Sequence, residues 1–250
     1  MKKFLTSIAI VLSAAAHVAA HAAEVIDVAS KQGAPTRTLL VLAPEPKLTV
    51  LLFIGGDGLL RLTDDGRTEH GHTFVRSINR WSTHHINAVL VDTPFGLGNA
   101  KRGHKRASGR HLTRVSEVVA HYAEKTKTPI WIFGHSMGTS SVAAFLSSGR
   151  PEINLLSGYA VAGTHRGESV PESIKLPALS IHHQRDGCEA TPLEASEAIH
   201  KSRTPDTPRA LVILDGGLET GHPCLARGYH GFNGVENEFI DAAARFMLKK

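Results

Sequence analysis

Ser136 stands in Gly134-His135-Ser136-Met137-Gly138, a G-x-S-x-G pattern that directly follows Pro129-Ile130-Trp131-Ile132-Phe133. That short β-branched and aromatic run predicts a buried strand. Thr139 to Leu146, small and then apolar, predicts a helix that stops at Gly149 and Pro151. Strand, tight turn and helix make up the setting in which such a serine is held exposed at a turn tip. A serine there takes a strained backbone, and side chains two positions away on either side would collide with strand or helix, so Gly134 and Gly138 are glycine. The chemistry on offer is nucleophilic attack by a hydroxyl, which needs a neighbouring base held by a carboxylate.

Both partners are sought downstream. Asp186 follows Leu179-Ser180-Ile181-His182 by a few residues, with Gly187 allowing a tight turn. Asp215, at the end of the last strand, is the second candidate acid, and Glu189 and Glu194 read as helix-start residues. For the base, His230 lies shortly before the final helix with the small Gly231 after it, and is preferred. His222, beside Pro223-Cys224, is the alternative.

Charge developing on a carbonyl oxygen needs backbone donors aimed at it. Met137 N–H, next after the serine, is one candidate. Gly55-Gly56-Asp57-Gly58, which follows Leu51-Leu52-Phe53-Ile54, offers the others, with Gly56 and Asp57 preferred and Gly58 also open. A phosphate loop is excluded because its lysine and Ser/Thr are missing, and Gly96-Leu97-Gly98 lacks the rest of a dinucleotide fingerprint. His182-His183 are consecutive on a strand and point to opposite faces, so they do not share a metal. No zinc spacing occurs, and the expectation is no metal and no cofactor.

The elements that must position these groups alternate along the chain. Thr38–Leu42 and Leu48–Ile54 read as strands around the turn Pro44-Glu45-Pro46. Thr73–Trp81 reads as a helix and Ile86–Val91 as a strand. Leu112–Glu124 is amphipathic, with Val115, Val118, Val119 and Tyr122 at helical spacing. Beyond the serine motif, Leu155–Val161, Ala178–His182 and Ala210–Leu214 read as strands, and Glu236–Met247 as a closing helix. This pattern predicts an α/β fold, a mostly parallel sheet with helices on both faces and active groups at the carboxyl ends of its strands. Gly96 to His111, rich in glycine and basic residues, reads as an exposed loop, and Gly163 to Lys175 is too short for a substantial cap domain.

The 250 residues suit one large domain, and 42% hydrophobic with 20% charged residues is ordinary for a globular protein. Lys2-Lys3, the apolar stretch from Phe4 to Ala20 and Ala20-His21-Ala22 together read as a signal peptide, residues 1–22, cleaved after about Ala22. The remaining domain is then 23–250, periplasmic or secreted. Loss of Lys2 and Lys3 takes the net charge from +5 to +3, too little to argue for nucleic acid. No later run approaches the roughly 20 apolar residues of a membrane span. Cys188 and Cys224, an even pair in an exported chain, predict a disulfide.

On these residues the chain resembles the α/β-hydrolase superfamily of serine esterases, lipases and peptidases, from about Thr38 to the C-terminus. The carriers are Ile54-Gly55-Gly56-Asp57-Gly58, the Gly134–Gly138 turn, Asp186 after a late strand, and His230-Gly231-Phe232 before the last helix, in that family's chain order. The resemblance implies a triad of Ser136, Asp186 and His230 acting through an acyl-enzyme on a small-molecule acyl substrate, most simply an ester. A peptidase or acyltransferase on the same fold is the alternative, and a non-catalytic envelope-binding module is the alternative from another class. Ile54 stands where lipases often place a histidine, which leaves the second oxyanion donor open. Oligomeric state is not legible in the sequence.

Overall fold

The computed structural model describes residues 23–98 and 105–249, and within them eight strands form one sheet. The leader expected at 1–22 lies outside the described residues, as does 99–104 of the basic stretch. β1 (Ala23–Ser30) and β2 (Gly33–Val41) make an antiparallel hairpin at one edge. β3 (Leu48–Phe53) leads to a short α1 (Thr73–Arg76) and a 3-10 segment, Ile78–His84. β4 (Ile86–Val91), α2 (Gly109–Thr126), β5 (Ile130–His135) and α3 (Met137–Leu146) follow. Then come β6 (Leu156–Ala162), β7 (Ala178–His183), α4 (Leu193–Lys201), β8 (Arg209–Leu214) and α5 (Glu236–Met247). The order across the sheet is β1-β2-β4-β3-β5-β6-β7-β8. From β4 through β8 every pairing is parallel, and β2 meets β4 antiparallel.

β3, β4 and β5 are buried at every position, as parallel strands covered on both faces must be. Their alternation divides the core in two. Val50, Leu52 and Phe133 face α5 and the 78–84 segment, packing on Trp81, Phe239 and Ile240. Leu51, Phe53 and Ile132 face α2 and α3, packing on Val115, Val119, Val142 and Phe145. On the first face, Arg80 and His84 both bind Asp241 of α5, whose carboxyl is lowered to about 2, chiefly by the Arg80 hydrogen bond.

Two expectations need correction. Thr73–Trp81 is not one helix: a four-residue α-helix gives way at Ser77 to the tighter 3-10 segment. Gly96 to His111 is not an exposed loop throughout, because α2 already begins at Gly109, and Arg106 and His111 are each 1% exposed. Ser108 starts that helix by accepting from His111 N–H. No helix among the described residues is long and apolar enough to cross a membrane.

Candidate active site

Ser136 is the hinge between β5 and α3, with φ 53° and ψ −127°, a conformation L-residues avoid. Its backbone is held from both sides. Ser136 N–H donates to the Ala162 carbonyl at 2.9 Å, and its own carbonyl accepts from Thr139 N–H at 2.8 Å and Thr139 Oγ1 at 2.6 Å. The glycines of the motif answer to close approach. A Cβ on Gly138 would lie 2.0 Å from the Phe53 carbonyl oxygen, and one on Gly134 would lie 2.3 Å from that of Gly138. The turn is therefore pressed against the end of β3, where the Gly55–Gly58 loop begins.

His230 and Asp186 meet across 44 residues of chain: His230 Nδ1–H donates to Asp186 Oδ2 at 2.8 Å. Asp186 sits past the end of β7, where its Oδ1 accepts from Cys188 N–H at 2.9 Å. Burial pushes its carboxyl up, but the hydrogen bonds from His230 and Cys188 N–H outweigh this, and it ends below its ordinary value. Thr191 Oγ1 lies 3.2 Å from Asp186 Oδ2 and 3.1 Å from His230 Nδ1, a third group at the junction that sequence reasoning missed. With Nδ1 holding the proton for Asp186, His230 Nε2 is the free lone pair. It is buried and has no hydrogen-bond partner, so its contact with Ser136 Oγ is not closed. Ser136, His230, Gly55, Gly56 and Leu225 together line a cavity of about 160 Å³.

The competing candidates lie elsewhere. His222 is exposed and accepts from Cys224 N–H, while exposed Asp215 pairs with Arg185 at 2.8 Å. Cys188 and Cys224 are bridged, with Cα atoms 4.6 Å apart, tying the Asp186 loop to the segment that precedes His230. His182 and His183 are buried on β7, and His182 binds Ser196 Oγ. The described residues contain no group of three or more His, Cys, Asp or Glu placed to hold a metal.

Two further histidines back the site. His135 Nε2–H donates to the His230 carbonyl at 2.8 Å, and His135 Nδ1 lies 2.8 Å from His72 Nε2, toward which Gly55 N–H also points at 3.3 Å. His72 Nδ1 in turn accepts from Phe74 N–H, capping α1. The His230 carbonyl, which can only accept, fixes the proton of His135 on Nε2. Burial holds both rings neutral: His135 is lowered to about 3, and His72 also lies well below its ordinary value.

The Gly55–Gly58 turn closes with Gly58 N–H donating to the Gly55 carbonyl at 3.2 Å. A Cβ on Gly55 would stand 2.9 Å from Ser136 Cβ, so the loop runs directly beside the serine. A larger cleft of about 900 Å³ lies under the segment Leu59–His70, with Leu39, Val75 and Leu90 in its walls. His70 borders both cavities, but Ser136 and His230 line only the smaller one.

No family model matches the chain, and no curated protein is similar to it in sequence. Solved structures are similar in fold. A dienelactone hydrolase from Anabaena variabilis is 13% identical with a TM-score of 0.62, covering 91% of this chain and 97% of its own. A cold-adapted esterase from an Arctic intertidal metagenomic library is 13% identical with a TM-score of 0.58, covering 90% and 92%. A lidless α/β serine hydrolase from Xanthomonas campestris is 12% identical with a TM-score of 0.57, covering 88% and 94%.

Proposed function

Because the chain has the α/β-hydrolase fold, we propose that it is a serine hydrolase that cleaves a carboxylic ester through Ser136, His230 and Asp186. The observation that carries this reading is the buried, unpartnered His230 Nε2 in the cavity that Ser136 also lines, with Asp186 fixing the opposite ring nitrogen. A base of that tautomer beside a strained serine is what acyl transfer requires.

In the first half-reaction Ser136 Oγ bonds to the ester carbonyl carbon while its proton moves to His230 Nε2. The carbonyl π pair becomes an oxyanion, which accepts from Met137 N–H at the start of α3 and from Gly56 and Asp57 N–H. The α3 N-terminus adds its partial positive charge. Collapse breaks the bond to the leaving alcohol, which takes the proton from Nε2 and leaves an acyl-Ser136. Water, deprotonated by the same nitrogen, repeats the sequence and releases the acid. Asp186 stays ionised throughout and holds the imidazole in register.

The 160 Å³ cavity suits a short acyl group. We further propose that residues 1–22 are a cleaved leader and that 23–250 works as one exported domain, a reading the Cys188–Cys224 bridge supports. The test is hydrolysis of p-nitrophenyl esters of graded acyl length by wild type and Ser136→Ala. Wild type turns over the short esters and Ser136→Ala does not; equal rates in the two proteins contradict the proposal.

A further inference from the structure

Arg106 is a large, buried, charged side chain that the reaction above leaves unused. It sits just ahead of α2 and is 1% exposed. Among the described residues no carboxylate lies within ion-pair distance of it. Asp57 and Glu168 act on it only from farther off. An unpaired buried charge is costly, so what the guanidinium touches in place of a carboxylate is informative.

It touches the loop beside Ser136. Arg106 Nη2 donates to the carbonyls of Ile54 at 3.1 Å, Gly55 at 3.4 Å and Gly56 at 2.9 Å. Nη1 donates to Ser141 Oγ at 2.8 Å, one turn along the helix that begins at Met137. One rigid cation therefore clamps the glycine loop to the helix that follows the nucleophile. His111 Nε2 lies 2.9 Å from the same Ser141 hydroxyl. Burial first, then the charges of Arg106 and Arg114, lower this histidine to about 3, so its ring is neutral beside the cation. Burial lowers Arg106 itself only to about 9, which leaves it charged at neutral pH.

The peptide bonds here are all trans, so each carbonyl and the N–H of the next residue point opposite ways. Carbonyls of residues 54, 55 and 56 drawn to the guanidinium send the N–H groups of Gly55, Gly56 and Asp57 away from it, that of Gly55 toward His72 Nε2 at 3.3 Å. Gly55 and Gly56 line the cavity with Ser136, and no acceptor among the described residues bonds Gly56 or Asp57 N–H. We infer that Arg106 is the positioning residue of the oxyanion site: by binding three successive carbonyls it aims and polarises the N–H groups that receive the developing oxyanion. The inference deepens the acyl-transfer proposal and rests on it. Hydrogen bonds in a chain strengthen one another, and a cation at the carbonyl end makes the N–H at the other end a better donor.

The test compares Arg106→Met, Arg106→Lys and Ser141→Ala with wild type on p-nitrophenyl butyrate, and measures inhibition by an alkyl trifluoromethyl ketone, whose serine adduct carries an oxyanion. Expected for Arg106→Met is a kcat lower by about 100-fold, with KM within about threefold of wild type. Its inhibitor affinity falls by about as much as kcat/KM, because adduct and transition state share the oxyanion. Arg106→Lys recovers part of the loss. Ser141→Ala, a small change that keeps the charge, loses about three- to tenfold in kcat and serves if the arginine variants do not fold. Wild-type kcat and inhibitor affinity in folded Arg106→Met, or in Ser141→Ala, overturn the inference while an inactive Ser136→Ala leaves the nucleophile assignment standing. Full activity in Ser136→Ala overturns both.

Discussion

His135 Nε2–H donates to the carbonyl oxygen of His230 at 2.8 Å, so the residue before Ser136 grips the backbone of the proposed base. The two rings lie with centroids 4.7 Å apart, and His72 fixes the far side of His135. Serine and base are thus tied through the strand that carries the serine, independently of Asp186. His135→Leu keeps the bulk but leaves the His230 carbonyl without its donor. Small misplacements of a reacting group cost up to about 100-fold in rate. The expected result is a kcat lower by about 10- to 100-fold with KM little changed, read from steady-state ester hydrolysis. An unchanged kcat would mean the tie does not position His230.

Asp186→Asn should preserve the fold, since an amide oxygen can still accept from Cys188 N–H, while its NH₂ faces His230 Nδ1 and favours the wrong tautomer. A kcat loss on the order of 10³- to 10⁴-fold is expected. Asp215→Asn, at the rejected acid on the surface, should stay near wild type. Assay of both variants side by side reverses the assignment if Asp215→Asn is the one that fails.

The Cys188–Cys224 bridge joins the Asp186 loop to the approach to His230 across a separation of 36 residues. Chain-entropy arguments assign about 3 to 4 kcal/mol to a loop of this size. Urea unfolding with and without a phosphine reductant should show a lower midpoint in the reduced protein, and Cys188→Ser with Cys224→Ser should reproduce it. Coincident curves would remove the bridge from the stability account.

Acid should unfold this protein early. His72, His135 and His111 are held neutral by burial, below the ordinary value of 6.5. Between 6.5 and those lowered values the unfolded chain binds more protons than the folded one. Stability is therefore fully present above about pH 7 and is lost as pH falls from 6.5 toward 3. Asp186, lowered from 3.8, adds to the loss below that value. Urea midpoints that stay flat from neutral pH down to about pH 4 would contradict the neutral relay.

Much of this was legible in the chain. Glu236–Met247 and Ile86–Val91 coincide with α5 and β4 because strong apolar periodicity and clear stops bound each. β1 escaped notice because its hairpin lies at the sheet edge, where Val28 alone is fully buried and alternation is weak. α4 buries only Ser196 and Ile199, too little to announce a helix. Asp186 and His230 were readable as residues following late strands, but Thr191 was not, since a threonine becomes informative only once both partners surround it. Arg106 was the hardest. In Lys101-Arg102-Gly103-His104-Lys105-Arg106 nothing local marks Arg106 as an arginine that turns inward. Its partners on the glycine loop are backbone carbonyls about 50 residues away, and carbonyls carry no sequence signature.

The most direct test of the account is the site of covalent labelling by a fluorophosphonate, read by intact mass and peptide mapping. The account predicts one adduct per chain, on the peptide containing Ser136, formed as esterase activity is lost and absent in Ser136→Ala. An adduct on another residue, or full inactivation without modification at Ser136, would contradict it.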